Sequence, residues 1–228
     1  CHSHVHCRLL GVIMLVTEVA LSARSAKIIG GTHGMAMWVP ARLVIMFLVC
    51  LILTASTTEL LKLTCGALRP GFARVCLSNT NFPPTAYDSE VIWSNSDCQN
   101  EDTGLLNEYR KSFPSGHSSY AFAASVFVSL YFIWRSNSLR GPNPQRSQLV
   151  FSQILMFLVC FPLWCAMLIA ASRVSDFKHF PVDILGGAAI GTIFAAFTFF
   201  ITASNLSREY RNILMRSMDP ASQDQPDP

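Results

Sequence analysis

The chain has few charged residues. Only 14% of its 228 residues are Asp, Glu, Lys or Arg, where about 25% is usual for a soluble domain. Its hydrophobic fraction is 51% and its mean hydropathy is +0.36, which disfavours a soluble globule and favours a protein that crosses a membrane several times. The formal net charge of +3 is too small to indicate nucleic-acid binding, so the expected surroundings are a bilayer.

An internal repeat and a second domain are also lacking. The chain instead contains five apolar segments, and a spanning helix needs about 20 mainly apolar residues. The second, fourth and fifth segments meet that length, the third does so with its small polar start, and the first is short and carries Glu18. We interpret all five as membrane helices of an all-α, polytopic bundle: Leu9–Ala23, Met35–Ser56, Ser118–Trp134, Leu149–Ala171 and Val182–Ala203.

Basic residues between these segments predict an orientation. The connections 24–34 and 135–148 and the segment after Ala203 carry an excess of Lys and Arg, which is typical of cytosolic loops. The connections 62–111 and 172–181 then share the opposite, extracellular or luminal face. The predicted organisation is an amino-terminal segment (1–34), a membrane core (35–204) and a cytosolic tail (205–228) with a disordered end.

Two of the eight cysteines, Cys76 and Cys98, lie in a polar connection rich in Asn, Ser and Asp. In an oxidising compartment these two thiols can form a disulfide. The sequence leaves the pairing open because it does not fix their separation.

Charged residues gather where three apolar segments end. Lys62 and Arg69 are seven residues apart, or two helical turns, so we expect both on one helix face, with Pro70 ending the helix. A single cation at a membrane boundary is commonly an interface anchor. Two on one face favour phosphate binding, and the planar fork of Arg69 suits two phosphate oxygens.

The tetrapeptide Pro114-Ser115-Gly116-His117 precedes the third segment. We expect Ser115 to cap that helix and Gly116 to let backbone N–H groups approach an anion, since a helix N-terminus favours negative charge. Taken alone, the pattern also fits an ordinary cap followed by a chance histidine.

The third cluster runs from Ser172-Arg173 to His179 and Asp183. A carboxylate four residues after a histidine can face it, fix its tautomer and make the other ring nitrogen a better base or nucleophile. An interfacial histidine followed by an Asp cap is the alternative. Metal binding competes as an interpretation, but the nearby cations Lys62, Arg69 and Arg173 would repel a divalent ion, so no metal or cofactor is expected.

With these residues in place, the chain resembles the type 2 phosphatidic acid phosphatase superfamily, most closely its integral-membrane lipid phosphate phosphatases. The matching motifs are Lys-x6-Arg-Pro at Lys62–Pro70, Pro-Ser-Gly-His at Pro114–His117 and Ser-Arg-x5-His-x3-Asp at Ser172–Asp183. The resemblance implies a six-helix core. Because five segments are visible, Leu9–Ala23 would match the second family helix and the first would be missing.

The resemblance also implies a mechanism. His179 would attack phosphorus and become a phosphohistidine, Asp183 would orient it, and His117 would protonate the leaving alkoxide. The implied substrates are phosphatidate, lysophosphatidate, sphingosine 1-phosphate or ceramide 1-phosphate, at the outer or luminal leaflet of what we expect to be the plasma membrane. The phosphoryl oxygens would be held by Lys62, Arg69, Ser115, Gly116 and Arg173.

Three other functions are alternatives to lipid phosphate hydrolysis. A vanadium-dependent haloperoxidase would use the same residues but is soluble, a non-catalytic lipid-binding relative would lack the nucleophile or acid, and a same-fold phosphatase would act on another phosphate ester. The preferred lipid stays open, as does whether the chain forms a homo-oligomer.

Overall fold

The computed structural model describes the backbone of residues 2–29, 33–77, 94, 98–139 and 147–218, and side chains within 5–20, 38–77, 94, 98–137 and 154–208. Within these ranges α-helix is the regular secondary structure that the chain forms, as the apolar segments predicted. The seven described helices are α1 (His2–Ile29), α2 (His33–Cys65), α3 (Phe72–Leu77), α4 (Thr103–Tyr109), α5 (Gly116–Leu139), α6 (Ser147–Ser175) and α7 (Pro181–Met218).

Helix α5 lies at the centre of the bundle and contacts each of the other long helices. Helix α6 runs antiparallel to it, since the hydroxyl groups of Ser125 and Ser129 donate to the carbonyls of Pro162 and Val159 in reverse order. Helix α7 runs parallel to α5. The N-terminal ends of α5 and α7 therefore lie at the same end of the bundle, where the sequence placed its motif clusters.

Helices α5 and α7 approach each other almost backbone to backbone. A Cβ atom on Gly187 would collide with the carbonyl oxygen of Ser115, and one on Gly191 would collide with the backbone of Ser119 and Ala123. Small residues four apart allow this closeness between membrane helices. The start of α5 is thereby fixed against the first turns of α7.

The interior of the bundle is an apolar core shared by α1, α2, α5 and α7. The ring centroid of Phe127 lies 5.4 Å from those of both Phe47 and Phe199, with edge-to-face geometry in each pair. The outer surfaces of α2, α6 and α7 expose many large apolar side chains. Among the described residues, three stretches are long and apolar enough to cross a membrane: Trp38–Cys65, Ile154–Ser175 and Pro181–Arg208.

The remaining two predicted spans differ from these three. Helix α1 (His2–Ile29) carries Glu18 within its apolar stretch. Helix α5 is long enough but carries several serines that lower its apolar character. These serines face neighbouring helices, because Ser118, Ser119 and Ser125 are buried.

A buried ion pair joins α1 to α5. The fully buried carboxylate of Glu18 accepts a hydrogen bond from the hydroxyl of Tyr131 (2.8 Å) and lies 3.3 Å from Nε of Arg135. Glu18, the charged residue of the first apolar segment, is thus paired inside the bundle. Arg135, which we assigned to a cytosolic loop, is instead 7% exposed within α5; the basic residues 140 and 146 of that loop lie outside the described residues.

The short helices α3 and α4 form a small cap at the end of the bundle where α5 and α7 begin. Phe72, Cys76 and Leu106 pack together there, and a disulfide bond joins Cys76 to Cys98. The cap is attached to the loop after α2 by a hydrogen bond from the amide of Arg69 to the carbonyl of Tyr109 (2.8 Å). The segment that follows α4 leads directly to the start of α5.

Replacing Cys98 by Ser should destabilise this cap. A closed loop with a sequence separation of 22 contributes on the order of 3 kcal/mol, so we expect a lower midpoint of thermal unfolding in detergent. Cys65→Ser is the matched control, because that thiol is free and exposed. Equal melting temperatures for the wild type and Cys98→Ser would contradict the assignment. Alkylation of Cys76 in the wild type without reductant would also contradict it.

Candidate active site

The first predicted cluster is split between a helix and the loop that follows it. Lys62 lies in the last turn of α2, but the helix ends at Cys65, before Arg69. Gly66 has a φ of 57°, a left-handed conformation that ends helices and that glycine adopts without steric cost. The expectation that Lys62 and Arg69 share a helix face, with Pro70 ending the helix, is therefore wrong. The loop nevertheless keeps both cations at the same end of the bundle.

Lys62 lies over the beginning of α5. Its Nζ atom is 3.2 Å from the position that a Cβ on Gly116 would occupy, so the absence of a side chain there leaves room for the ammonium group. One turn earlier on α2, the hydroxyl of Thr58 donates to Oγ of Ser119 (2.9 Å), which donates to the carbonyl of Gly116 (3.1 Å). These hydrogen bonds fix the height of α2 relative to α5.

Ser115 does not cap α5 with its side chain as predicted. Its carbonyl accepts the amide N–H of Ser119 (3.0 Å) and its own amide donates to the carbonyl of Asp183 (2.9 Å). In the described part of the chain, its buried hydroxyl makes no hydrogen bond. The amide of Ser115 is thus already used, and its hydroxyl is the group available to an anion. His117, the second residue of α5, is half-buried.

His179 lies in the loop between α6 and α7 and is 4% exposed. Its Nδ1 atom lies 2.8 Å from the carbonyl oxygen of Ser112. A carbonyl only accepts hydrogen bonds, so Nδ1 must carry the hydrogen and Nε2 keeps its lone pair. The described hydrogen bond and ion pair of His179 both involve Nδ1. The imidazole is held in the tautomer that a nucleophilic Nε2 requires.

The surroundings of His179 also keep it neutral. Burial, followed by the positive charge of Arg69, lowers the pKa of His179 from 6.5 to about 4, and Lys62 adds to this. The hydrogen bond to Ser112 and the charge of Asp183 oppose the shift without reversing it. At neutral pH the imidazole is therefore uncharged beside two cations.

Asp183 acts on His179 at a longer distance than the sequence suggested. Its Oδ2 atom lies 3.7 Å from Nδ1 of His179, beyond a hydrogen bond. The same oxygen accepts hydrogen bonds from the hydroxyl of Ser112 (2.5 Å) and the amide of Phe180 (2.8 Å). Asp183 therefore anchors Ser112, and the carbonyl of Ser112 orients the imidazole.

Sequence reasoning missed Ser112. It is fully buried, and its amide donates to the carbonyl of Ala67 (2.9 Å), which places the chain just before Arg69 next to the histidine. Its only sequence signal was a small polar residue two positions before the Pro114 motif. That signal is weak because the decisive group is a backbone carbonyl, which every residue has.

Arg173 lies in the last turn of α6, with its Nε and Nη2 atoms 3.2 and 3.1 Å from the hydroxyl of Ser172. Because α6 runs antiparallel to α5, Arg173 lies at the end of the bundle where α5 begins, as Lys62 and Arg69 do, and we call the three the cation cluster (Lys62, Arg69, Arg173). Each member pairs with a carboxylate: Lys62 with Glu59 at 2.6 Å, Arg69 with Glu108 at 2.6 Å, and Arg173 with Asp176 at 2.8 Å.

The described side chains thus bring a neutral, oriented imidazole close to Arg69 and Lys62, at the end of the bundle where α5 begins. Within that part of the chain, no group of three or more His, Cys, Asp or Glu side chains could hold a metal ion. The arrangement suits attack by a nitrogen nucleophile on a centre whose oxygens become more negative, because fixed cations stabilise such charge.

Comparison with known families agrees with the motif assignment. The model of the PAP2 superfamily matches residues 43–206, which include all three clusters. The chain belongs to the PAP2 superfamily. The earlier resemblance to this family is confirmed. No solved structure matches the chain.

Curated relatives resemble part of the chain. "Lipid phosphate phosphatase 1" of Arabidopsis thaliana is 32% identical over 67% of this chain and 42% of its own length. "Lipid phosphate phosphatase 2" of the same plant is 33% identical over 65% and 46%. "Phospholipid phosphatase-related protein type 4" of Homo sapiens is 31% identical over 60% and 17%. The matches span less than half the length of these relatives.

The pKa of His179 predicts the pH dependence of the chemical step. If Nε2 of His179 is the nucleophile, attack needs the neutral imidazole, and because its pKa is lowered to about 4, the rate of the first chemical step should fall only as the pH approaches 4. The same shift makes folding less favourable as the pH falls from 6.5 towards 4, since the unfolded chain takes up the proton first.

The pH profile is measured by rapid quench. The phosphate group of the substrate itself titrates near pH 6, so its titration is determined separately by phosphorus NMR. An enzyme group titrating near 6.5 on the acid side would contradict the assignment.

Ser112→Ala should slow the reaction without removing the carbonyl that orients His179. Loss of the hydroxyl leaves Asp183 with one donor fewer and its charge less compensated, so the pKa of His179 should rise. We expect kcat to fall by about tenfold, the scale of one lost hydrogen bond to a buried charge, and the acid limb to move to higher pH. Ser112→Thr keeps the hydroxyl and should restore both. A lower kcat with an unmoved pH profile would reduce Ser112 to a packing role.

Proposed function

We propose that this chain is a metal-independent lipid phosphate phosphohydrolase that works through a phosphohistidine. The observation that carries the proposal is the hydrogen bond from Nδ1 of His179 to the carbonyl of Ser112, which leaves Nε2 as a neutral nucleophile close to Arg69 and Lys62. Membership of the PAP2 superfamily and the names of the lipid phosphate phosphatase relatives support the same reaction.

In the proposed reaction, Nε2 of His179 attacks the phosphorus of a phosphate monoester. The cation cluster and the hydroxyl of Ser115 stabilise the equatorial oxygens as negative charge builds on them. His117, at the start of α5 where the N-terminus favours anions, donates a proton to the leaving alkoxide. Water, deprotonated by the same residue, then cleaves the phosphorus–nitrogen bond and releases inorganic phosphate and free His179.

The proposed substrates are phosphatidate, lysophosphatidate, sphingosine 1-phosphate or ceramide 1-phosphate. Three described helices carry enough apolar length to span a membrane, and we infer that α1 and α5 cross with them. The site then lies at the extracellular or luminal leaflet, and the disulfide between Cys76 and Cys98 supports an oxidising compartment on that side. We place the protein in the plasma membrane.

A non-catalytic lipid-binding role is the second candidate, because one relative is named only as related to phospholipid phosphatases. Binding alone needs the cations and not a histidine held in one tautomer. The buried, oriented His179 therefore favours catalysis.

The deciding experiment is release of phosphate from lysophosphatidate in detergent micelles containing a chelator, for the wild type and for His179→Ala. We expect chelator-resistant release by the wild type and a loss of at least a thousandfold in the variant, the scale of removing a nucleophile. A quench with labelled substrate should trap an acid-labile phosphoenzyme in the wild type.

The matched control is His6→Ala, which removes a half-buried histidine that lies on α1 and contacts Ser125. Release that stops with the chelator would contradict the metal-free route. Saturable binding of lysophosphatidate by a folded wild type without any phosphate release would favour the second candidate.

A further inference from the structure

All three members of the cation cluster are already neutralised. Glu59 and Asp176 lie three residues along the chain from Lys62 and Arg173, whereas Glu108 reaches Arg69 from α4. The side chains of Lys62, Arg69 and Arg173 are 15%, 12% and 14% exposed, whereas those of the carboxylates are 60%, 55% and 48% exposed. Each cation points inward and is met by an anion from the solvent side.

The three pairs have a consequence for binding. A phosphate group that enters the cluster must displace the carboxylates or share their cations, so anion binding is an exchange. An ion pair whose carboxylate is exposed is weakened because water competes for that carboxylate. The carboxylates are therefore held strongly enough to offset the positive charge but not strongly enough to block an anion with more charge.

The charge of the anion then determines how strongly it binds in this exchange. Three cations and three carboxylates sum to zero, so an approaching anion of either charge is attracted only weakly until it replaces the carboxylates. A phosphate monoester carries a charge of about −1.5 to −2 at pH 7, whereas a phosphodiester headgroup carries only one negative charge. In a membrane the diester headgroups are in large excess over monoesters.

We propose that Glu59, Glu108 and Asp176 are specificity residues of the proposed phosphatase, which exclude phosphodiester lipid headgroups from the cation cluster by occupying it between turnovers. This inference rests on the proposed function for its biological meaning. The three carboxylates contribute no chemistry to the reaction. By competing with every anion, they weaken all anion binding to the cluster, so that a singly charged diester headgroup no longer fills it while a more strongly bound, doubly charged phosphate still does.

The test compares the wild type with single variants Glu59→Gln, Glu108→Gln and Asp176→Asn and with the triple variant. The competitor is phosphatidylglycerol, an anionic diester, added to lysophosphatidate micelles at constant detergent. Each single variant should lower the inhibition constant of phosphatidylglycerol by about twofold, the scale of one exposed pair, and the triple variant by about tenfold. Binding of inorganic phosphate should tighten in the same order.

The control is Glu101→Gln, which removes an exposed carboxylate near α4 that pairs with no member of the cation cluster in the described chain. It should leave the inhibition constant unchanged. An unchanged constant in the triple variant would overturn the proposal. An equal fall in Glu101→Gln would also overturn it, by showing that overall charge and not pairing sets the affinity.

A second measurement separates this inference from the proposed function. The rise in unfolding temperature caused by inorganic phosphate, and by phosphatidylglycerol relative to phosphatidylcholine, does not require turnover. If the wild type hydrolyses no lipid, larger shifts in the triple variant still support exclusion by the carboxylates, and equal shifts contradict it. Glutamine and asparagine keep the side-chain size at exposed positions, so all variants should fold.

Discussion

The hydrogen bonds of Ser112 join three parts of the chain that are far apart in sequence. Its amide bonds to the carbonyl of Ala67 after α2, its carbonyl orients His179 before α7, and its hydroxyl bonds to Asp183 within α7. Each group is buried, where an unpaired polar atom is costly. The loop that carries Arg69 and the loop that carries His179 therefore keep their relative position through one residue.

Charge is balanced differently in the two halves of the site. Around His179 the balance is internal, because burial and the nearby cations keep the imidazole neutral while Asp183 bonds to Ser112 and Phe180. Around the cation cluster the balance comes from exposed carboxylates that solvent or a ligand can replace. The first arrangement fixes a tautomer, and the second leaves an anion site that can be emptied and refilled.

The sequence predicted the helical class, the three clusters and their common end, because apolar length and the position of charges survive in composition. It did not predict where α2 ends, because Pro70 indicates an end of the helix and a glycine at position 66 does not by itself indicate a left-handed conformation. It overstated the direct contact between His179 and Asp183, since residue spacing says nothing of a third group inserted between them. The burial of Arg135 beside Glu18 was also missed, because a basic residue after an apolar segment usually faces water.

The contact of Gly187 and Gly191 with the backbone of α5 divides the site into two mechanical parts. His117 on α5 and the loop that presents His179 to α7 belong to one block, whose halves cannot slide without a collision of main chains. Arg173 comes from α6, whose described hydrogen bonds to α5 are made by the side chains of Ser125 and Ser129. Thermal motion of α6 against this block should therefore move Arg173 and vary the width of the anion site, while the spacing between the two histidines stays constant.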